Sequence, residues 1–460
     1  MTSPRQRTDI ELPRKLAVCV VDPWSTGMKL CELVRARDLE LILIWEDGCI
    51  RANDMDALEV IDLKSEDKRG YVKTIEQLRQ IEKRHMVTIS CIIPGSETGV
   101  LLAESLAFQF GTPTNPPKLA MARRNKFLMG EAVRSAGVRA VKQTIATEWQ
   151  QVVEFLSDFK SDPFKAVVKP NLGAGSDDVY LCNSRDEVKK AFFKINGTLN
   201  SLGIMNDGVL IQEFLEGTEY VVDTMTRNGH HKVVAMWHYD KRPANGRFNV
   251  YFGTIPHAVN SDAEYQLKDY VSSVLDALQV ENGPAHAEVI MTKTGPCLVE
   301  IGCRCHGGNA SWYNVAREFA GLDQLNAILD GFTAEEKFYR LPDFVTENKR
   351  FGRTLDLVAY ESKEVIGIPG IDFVKSLQSF HRINLFKNVG DVLDVTVDCN
   401  TTPGEVILIH DSLEQLESDY ESIHNFLKSG FFALCEPNSE DSGTENSEAE
   451  YELESKSTYY

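Results

Sequence analysis

Two glutamates flank a predicted turn in the segment HAEVIMTKTGPCLVEIGCRCHGG. Glu288 and Glu300 fall on the strands on either side of Lys293 to Pro296, so both carboxylates can face one cleft. Burying two like charges that close together is costly without a cation. Mg²⁺ is a hard cation that prefers oxygen ligands and nucleotide phosphates. The pair therefore predicts a magnesium site, beside which Arg304 could offer its guanidinium to a phosphoryl or carboxylate group.

A second feature is Lys169, which ends the apolar strand FKAVVKP just before the loop NLGAGSDD. Its ammonium can meet phosphate oxygens while the backbone amides of Gly173 to Ser176 surround them. Glycine suits such a loop because the backbone must approach the phosphates closely. The order differs from a Walker A motif, since the lysine precedes the loop and no GK[ST] follows. A plain β-hairpin with a lysine at its edge is the alternative.

A third feature is a polar break in the apolar run VLIQEFLEGTEYVVD. The run turns polar at Gln212 and Glu213 and resumes after Gly217. Such a break suits an adenine hinge, in which backbone groups from Glu213 to Leu215 pair with the base and Glu219 accepts hydrogen bonds from ribose hydroxyls. A surface hairpin with acidic residues on its wet face explains the pattern equally well.

These features need a scaffold of sheets, and the hydrophobic pattern predicts one. Apolar runs at Leu16 to Val21, Leu41 to Trp45 and Val87 to Ile93 alternate with turn and helical patterns. They predict a small α/β domain with a parallel sheet over residues 1–120. The next stretch mixes strands, hairpins and helices, with a strand predicted from Val138 to Ile145. We therefore place a domain boundary near residue 120.

The C-terminal third of the chain has a different pattern. From Arg353 to about Gly430, short predicted strands alternate with turns, and a helix from Ser412 to Leu427 closes the segment. This predicts a small, separate β-rich domain over residues 350–432. After Cys435 the sequence is rich in Ser and Glu and poor in apolar residues, so residues 433–460 are predicted to be a disordered acidic tail.

The bulk composition excludes some classes of function. The 460 residues suggest two to four packed units, and 43% hydrophobic with 25% charged residues is ordinary for a globular protein. A net charge of −19 argues against nucleic acid and anionic lipid as partners. The N-terminus lacks the apolar core of a secretory signal, which predicts a cytoplasmic location in which the ten cysteines are reduced thiols.

Taken in order, the motifs resemble the ATP-grasp superfamily. They run from Lys126 in RRNKFLM, through Lys169 with its glycine loop and QEFLEGTE, to the carboxylates of HAEVI and LVEIGCR. Within the superfamily the chain is most similar to L-amino acid ligases and related carboxylate–amine ligases. The resemblance covers roughly residues 10–430 and includes SETGV. Each motif is weak alone, and their order makes the match specific.

The resemblance implies an α/β and α+β multidomain fold. The N-terminal parallel α/β domain would precede the ATP-grasp nucleotide-binding domains, with residues 121–210 as the central or lid part and 211–335 as the catalytic core. The implied cofactors are ATP and Mg²⁺, with Mn²⁺ as a candidate substitute. The implied nucleotide contacts are Lys126 and Lys169 at the phosphates, Gly173, Gly175 and Ser176 in the loop, Gln212, Glu213 and Leu215 near the adenine, and Glu219 at the ribose. Glu288 and Glu300 would hold the metal, and Arg304 would stabilise an acyl phosphate or the incoming substrate.

The implied reaction is ADP-forming amide or peptide synthesis. A substrate carboxylate attacks the γ-phosphate, and an amine then displaces phosphate from the acyl phosphate. Charge builds on the transferring phosphoryl group, so the site needs lysines, a metal and an arginine rather than a nucleophilic side chain. The expected partners are a small-molecule carboxylate, an amino acid above all, and an amine. A homodimer is left open.

Because acyl phosphates hydrolyse readily, a lid must exclude water. The segment HYDKRPANGRFNVYFG is the candidate closing loop, since Lys241, Arg242 and Arg247 surround a flexible Pro-Ala-Asn-Gly centre. An ordinary long hairpin loop is the alternative. Candidate substrate contacts are Ser96, Glu97 and Thr98, in a loop expected to face the cleft, and His257, which follows the lid; a structural role is at least as plausible for each.

Two details of the metal strand stand out. Many relatives read Glu-x-Asn-x-Arg where this chain has Glu300, Gly302 and Arg304. Without the Asn ligand, a second Mg²⁺ would be held differently or bind more weakly. The cluster Cys303, Cys305 and His306 invites a zinc interpretation, but a C-x-C without a second half is poor support for four-coordinate zinc. Cysteines packed beside the metal strand explain it better.

Three hypotheses for the function stay open. The first is the amide-forming or peptide-forming ligase. The second is an ATP-grasp carboxylase that uses bicarbonate, against which the chain offers no partner domain for biotin. The third is a non-catalytic ATP-binding regulator, suggested by Gly302 and the acidic tail.

Overall fold

The computed structural model describes residues 14–46, 55–64, 67, 70–159, 163–173 and 175–435. It begins with a parallel four-stranded sheet in the order β3-β2-β1-β4. Its apolar runs are buried on both faces, so the residues from Ala17 to Val21 are fully buried. Its elements are β1 (Lys15–Val21), α1 (Thr26–Ala36), β2 (Glu40–Trp45), β3 (Glu59–Asp62), α2 (Val72–His85), β4 (Val87–Pro94) and α3 (Val100–Phe110). The predicted N-terminal α/β sheet is confirmed.

A small antiparallel sheet follows, in the order β5-β8-β6-β7. Its elements are α4 (Lys126–Ser135), β5 (Gln143–Ala146), α5 (Trp149–Ser157), β6 (Ala166–Pro170), β7 (Tyr180–Cys182), α6 (Arg185–Ile195) and β8 (Val209–Glu213). The strand expected from Val138 begins later, at Gln143. The reason is that Ala140 instead forms an isolated bridge with Leu298 of another sheet. Helices α5 and α6 share an apolar core with this sheet.

The largest sheet has eight strands, in the order β13-β12-β9-β10-β11-β14-β17-β16, and every pair is antiparallel. Its strands are β9 (Gly217–Arg227), β10 (His230–Ala244), β11 (Arg247–His257), β12 (Asn282–Thr292), β13 (Gly295–Gly302), β14 (Phe351–Asp356), β16 (Phe380–Leu385) and β17 (Gly404–His410). The associated helices are α7 (Asp262–Ala277), α8 (Ser311–Ala320), α9 (Gln324–Thr333), α10 (Glu335–Arg340), α11 (Gly370–Lys375) and α12 (Leu413–Leu427).

The C-terminal strands correct one expectation, since β14, β17 and β16 extend the large sheet instead of forming a separate one. The junction is the pairing of β11 with β14 at Gly253 and Thr254. Gly253 has φ +145°, and a Cβ built there would lie 2.1 Å from the carbonyl oxygen of Thr354. Only glycine therefore lets the two strands approach this closely. The C-terminal strands still share an apolar core of their own with α12.

The segment predicted as a flexible closing loop, residues 238–253, is also part of this sheet. It forms the hairpin of β10 and β11, with Asn245 and Gly246 at the turn. Their φ angles, +51° and +76°, are those that a tight two-residue hairpin turn requires. The segment is therefore a β-hairpin in this structure, and its role in closing the site stays a prediction.

At the C-terminal end, β15 (Val365–Gly367) pairs with β18 (Ala433–Leu434). The first residues of the predicted tail are thus part of a two-stranded sheet, and residues 436–460 lie outside the described residues. Across the described ranges, we find no helix with the length and apolar character needed to cross a membrane.

Candidate active site

A cavity of about 500 Å³ lies where the loops of the parallel sheet, the small sheet and the large sheet come together. Most of the predicted site residues line it, although they are spread over more than 200 positions of the chain. They are Ser96, Glu97, Lys126, Lys169, Gly173, Gly175, Ser176, Gln212, Glu213, Leu215, Glu219, Lys241, Glu288, Glu300 and Arg304. The fold therefore brings the predicted phosphate, adenine, metal and substrate residues to one place.

Three carboxylates stand on three adjacent strands of the large sheet. Glu288 of β12 lies directly opposite Glu300 of β13, and Glu219 comes from the next strand, β9. Burial raises the pKa of Glu219. The nearby Lys241 lowers this pKa and the nearby Glu288 raises it, and the net effect is an increase. Burial alone would also raise the pKa of Glu288. Lys241 and His286 outweigh burial and hold the pKa of Glu288 well below the usual range. One end of the cavity thus offers oxygen donors of the kind that Mg²⁺ binds.

Three lysines face these carboxylates. The Nζ of Lys126 lies 3.0 Å from Oε2 of Glu300 and donates to the carbonyl oxygen of Gly173 at 2.6 Å. The Nζ of Lys241 lies 2.5 Å from Oε1 of Glu219. Lys169 is 5% exposed, and burial lowers its pKa to about 8, with Lys126 acting in the same direction. The lysines come from α4, β6 and β10, so positive charge surrounds the space next to the carboxylates.

The local sequence fixes Lys126 at the start of a helix. Asn125 caps α4, because its side-chain oxygen accepts from the backbone N–H of Leu128 at 2.9 Å. The side chain of Asn171, in the loop after β6, accepts from the N–H of Phe127. The helix start is therefore tied directly to the glycine loop that follows Lys169.

Arg304 is paired with Glu97 inside the cavity, at 3.0 Å between Nε and Oε2. Burial opposes ionisation of Glu97, but Arg304, Arg124 and Lys126 outweigh it and lower the pKa of Glu97. Gly302 lies beneath this pair. A Cβ built there would lie 2.9 Å from Oε2 of Glu97 and 3.0 Å from Cζ of Arg304. The ion pair thus occupies the space that an asparagine side chain would need.

One backbone donor of the predicted adenine hinge is already bonded within the protein. The backbone N–H of Glu213 donates to the carbonyl oxygen of Lys142 at 2.9 Å, and its Oε1 accepts from the N–H of Lys142 at 2.7 Å. Gln212 is likewise bound to Gln143 through their side chains. Because β8 is paired on both edges, Glu213 has no free N–H for a base. Leu215, between β8 and β9, lines the cavity outside any strand.

Three predicted residues do not line the cavity. Arg242 follows Lys241 on β10 and faces the other way, as strand geometry requires, so it pairs with Asp240 and donates to Tyr420. His257 lies 3.5 Å from Glu264 at the end of β11. Thr98 donates to Asp22 at 3.0 Å and so holds the loop after β4.

Sequence reasoning missed a buried network of polar residues in the cavity wall. Asp223 is fully buried and contacts His286 through Oδ1 at 2.8 Å and His306 through Oδ2 at 2.9 Å, in each case at Nδ1. The hydroxyl of Tyr239 lies 3.3 Å from Nε2 of both histidines. One signal was available, because His286 precedes Glu288 by two residues and a strand places such residues on one face. Nothing local in the sequence indicates Asp223.

The structure does not assemble the CRCH cluster into a zinc site. Cys303 packs into the core around α7, whereas Cys305 packs into a different core around α8 and α9. Within the described ranges, the one group of three with metal-like spacing is Asp223, His286 and His306. Its atoms already face one another at hydrogen-bond distances.

A second acidic pair lines the far wall of the cavity. Asp356 of β14 lies directly opposite Glu405 of β17. Burial, and then Glu405, raise the pKa of Asp356 to about 7. Glu405 accepts from the side-chain amide of Asn384 at 2.7 Å, and burial raises its pKa as well.

Two antiparallel sheets hold lysines and carboxylates around one cavity, the arrangement expected from the resemblance to ATP-grasp proteins. Residues 162–312 match the model of the ATP-grasp domain, and this chain therefore carries that domain. A curated relative is dapdiamide A synthase of Enterobacter agglomerans, which is 29% identical over 433 residues, covering 92% of this chain and 98% of the relative.

Solved structures share the fold. An L-amino acid ligase from Bacillus licheniformis superposes with a TM-score of 0.72 at 18% identity, over 93% of this chain and 100% of that one. The biotin carboxylase domain dimer of the Hydrogenobacter thermophilus 2-oxoglutarate carboxylase, in complex with MgADP, ADP and bicarbonate, gives a TM-score of 0.61 at 13% identity, over 90% and 94% of the two chains.

Proposed function

We propose that this protein is an ATP-dependent, ADP-forming ligase that joins the carboxylate of an amino acid to an amine through an acyl phosphate. The observation that carries the proposal is the opposed pair of Glu288 and Glu300, with Lys126 at 3.0 Å from Glu300, in a cavity that also holds Lys169 and Arg304. Dapdiamide A synthase, which matches 92% of the chain, and the L-amino acid ligase fold both support a ligase that forms amide bonds.

In this proposal ATP lies between the small and the large sheet. Leu215 contacts the adenine, Glu219 is within reach of the ribose, and the loop from Gly173 to Ser176 surrounds the phosphates. Lys126 and Lys169 neutralise the phosphates, because negative charge is spread over the transferring group in the transition state. Gly175 and Ser176 both have positive φ angles, +66° and +63°, which turn successive amides toward one side.

The metal is proposed to be Mg²⁺, with Mn²⁺ as a substitute. Glu288 and Glu300 would hold it, and Glu219 is close enough to share in its charge. The raised pKa of Glu219 beside Glu288 supports this fit, since crowded carboxylates favour protonation unless a cation relieves them. The ion would supply charge neutralisation to the phosphates and orient them. Gly302 provides no ligand, so Glu300 carries more of the coordination here than in a Glu-x-Asn-x-Arg strand.

The carboxylate substrate is proposed to bind near Arg304, where Ser96 and Glu97 line the cavity. Its oxygen attacks the γ-phosphate, and Arg304 stabilises the acyl phosphate with a fixed guanidinium. The amine then displaces phosphate and forms the amide. Lys241, which pairs with Glu219 and lines the same cavity, is proposed to take part in catalysis as a positive charge. Both substrates are small molecules, and we further propose a cytoplasmic homodimer.

The test is ADP release from ATP and Mg²⁺ with panels of single amino acids, pairs of amino acids and bicarbonate, with product masses recorded. Release that needs a carboxylate and an amine, with a condensed product, supports the ligase. Release that depends on bicarbonate would replace it with the carboxylase. ATP binding without turnover under every condition would favour the regulator.

A further inference from the structure

The polar network around Asp223 takes no part in the phosphoryl transfer proposed above. Asp223 lies on β9, His286 on β12, Tyr239 on β10 and His306 just after β13, so four segments of the chain converge on it. Trp237 also donates its indole N–H to Oδ2 of Asp223 at 2.7 Å. A buried network of this size is costly unless its members are satisfied, which makes its hydrogen-bond count informative.

The hydrogen-bond partners indicate where the protons of the two histidines lie. Burial opposes ionisation of Asp223, but His306 and His286 outweigh it and hold its pKa far below the usual range. An ionised carboxylate only accepts, so each Nδ1 carries the hydrogen that lies between it and Asp223. Burial lowers the pKa of His286, but Asp223 and Glu288 outweigh burial and raise it, so the Nε2 of His286 carries a proton toward Glu288. The Nε2 of His306 is therefore the lone pair of the network that can accept a proton, and the hydroxyl of Tyr239 lies 3.3 Å from it.

His306 is the better placed of the two for a substrate. His286 already faces the proposed metal site, with Nε2 3.6 Å from Oε1 of Glu288. His306 follows Arg304 by two residues and lines the cavity. Its ring is stacked on Trp312, with 5.1 Å between ring centroids and 15° between planes, so its position is fixed.

The surroundings of His306 also favour a neutral ring. The titratable and charged groups that face it are Asp223, His286, Tyr239 and Arg304. Burial lowers the pKa of His306. His286 and Arg304 lower it further, whereas Asp223 raises it by less than burial and those two residues together lower it. A neutral, oriented imidazole backed by a carboxylate is the arrangement of a general base.

We propose that His306 accepts the proton of the attacking amine in the second half-reaction, and that Asp223 is the positioning residue that holds its tautomer. The inference rests on the proposed ligase function. The uncharged amine nitrogen bonds to the carbonyl carbon of the acyl phosphate. The bond from that carbon to the phosphate oxygen breaks, and its electron pair leaves with phosphate. The proton of the nitrogen passes to Nε2 of His306.

The experiment separates the two half-reactions with two nucleophiles. Hydroxylamine is a weak base that attacks acyl phosphates without help, and it reports formation of the acyl phosphate as a hydroxamate. The second nucleophile is the L-amino acid that gives the fastest turnover in the panel. With His306→Gln, amide formation should fall about 10²- to 10⁴-fold, whereas hydroxamate formation should stay within a few-fold of the wild-type rate. Asp223→Asn should show the same selective loss.

The matched control is His424→Gln. His424 is also buried and hydrogen-bonded, to Tyr420 at 2.7 Å, but it lies outside the cavity lining. It should leave the ratio of amide to hydroxamate formation unchanged. Equal losses of both products in His306→Gln, or no loss of either, would overturn the inference.

If His306→Gln does not fold, the pH dependence of the wild-type enzyme is measured instead. Rates are then expressed per concentration of uncharged amine. Amide formation should decline as the pH falls through the pKa of His306, because the protonated ring cannot accept, while hydroxamate formation should not decline with it. Parallel profiles overturn the inference. Absence of both ADP and hydroxamate with every carboxylate would instead refute the ligase function itself.

Discussion

Two pairs of opposed carboxylates line the same cavity, and their surroundings differ. Glu288 and Glu300 stand opposite each other on β12 and β13, and Asp356 and Glu405 stand opposite each other on β14 and β17. Lys126, Lys169 and Lys241 surround the first pair. No salt bridge reaches Asp356 in the described part of the chain. Like charges opposite each other are destabilising, and counter-charges decide whether a pair can stay ionised.

The two walls of the cavity are expected to have different roles. The wall with lysines combines positive and negative groups, as binding of a metal nucleotide requires. At the other wall, the pKa of Asp356 is raised to about 7, so near neutral pH that carboxyl is partly protonated. We therefore expect substitutions at the first wall to affect phosphoryl transfer and substitutions at the second wall to affect stability.

The largest effect is expected from Glu300→Gln. Loss of the charge that faces Lys126 and the proposed metal should lower ADP release roughly 10²- to 10³-fold, because transition-state charge is no longer balanced. Glu405→Gln, at the corresponding position of the other wall, should change ADP release less than about 10-fold. Both variants are assayed with the best pair of substrates. Similar losses in the two would remove the distinction between the walls.

Lys169→Met should have the next largest effect, a loss of roughly 10²-fold in kcat/KM for ATP. A methionine keeps the apolar stem and removes only the ammonium, so the fold is preserved. Lys165→Met is a matched control, since Lys165 lies just before β6 and is absent from the cavity lining. Steady-state kinetics at varied ATP gives the result, and an unchanged kcat/KM in Lys169→Met would contradict the phosphate role.

Gly302→Asn should reduce activity about 10-fold rather than improve it. The new side chain offers a metal ligand, but its Cβ would collide with the pair formed by Glu97 and Arg304. We expect the loss to appear mainly as a higher KM for the carboxylate substrate. Gly302→Ala tests the collision without the ligand and should show a loss of similar size. A gain of activity in Gly302→Asn would mean that the ion pair is dispensable.

The smallest effect is expected in stability, from Asp356→Asn. Below a pH of about 4, Asp356 is protonated in the folded and the unfolded chain, and the two proteins should be equally stable. Between about 4 and 7 the unfolded chain ionises while the folded one resists, so the wild type loses stability as the pH rises. The variant should be more stable by on the order of 2 kcal/mol at pH 8 and by less at pH 5. Denaturant unfolding at both pH values measures this, with Asp411→Asn, an exposed position, as the control.

The motif order was enough to predict the ATP-grasp domain and most of the residues that line the cavity. Lys126, Lys169, Glu288 and Glu300 are recognisable because each sits at a fixed place in a strand, loop or helix start. The mixed α/β fold and the ATP-grasp domain are confirmed by the structure and by the family match. The individual roles of the site residues stay predictions that the experiments above address.

Other features could not be read from local patterns. Lys241 and Arg242 look equivalent in sequence, and the direction of β10 sends one into the cavity and the other to Tyr420. Within the predicted hinge from Glu213 to Leu215, the N–H of Glu213 is bound by Lys142, a partner 71 residues away. Pairing between distant strands decides both cases, and hydrophobic periodicity does not report it.

The sequence by itself determined the chemistry that this protein can carry, since side-chain types, glycine positions and apolar runs act through short-range physics. Only the tertiary structure decided which of those groups meet. Asp223 and His306 are 83 residues apart in the sequence but in contact in the fold. The absence of a side chain at Gly302 is explained only by the position of Glu97 next to it. Such contacts depend on the register of paired strands and the packing of sheets, which are properties of the whole folded chain.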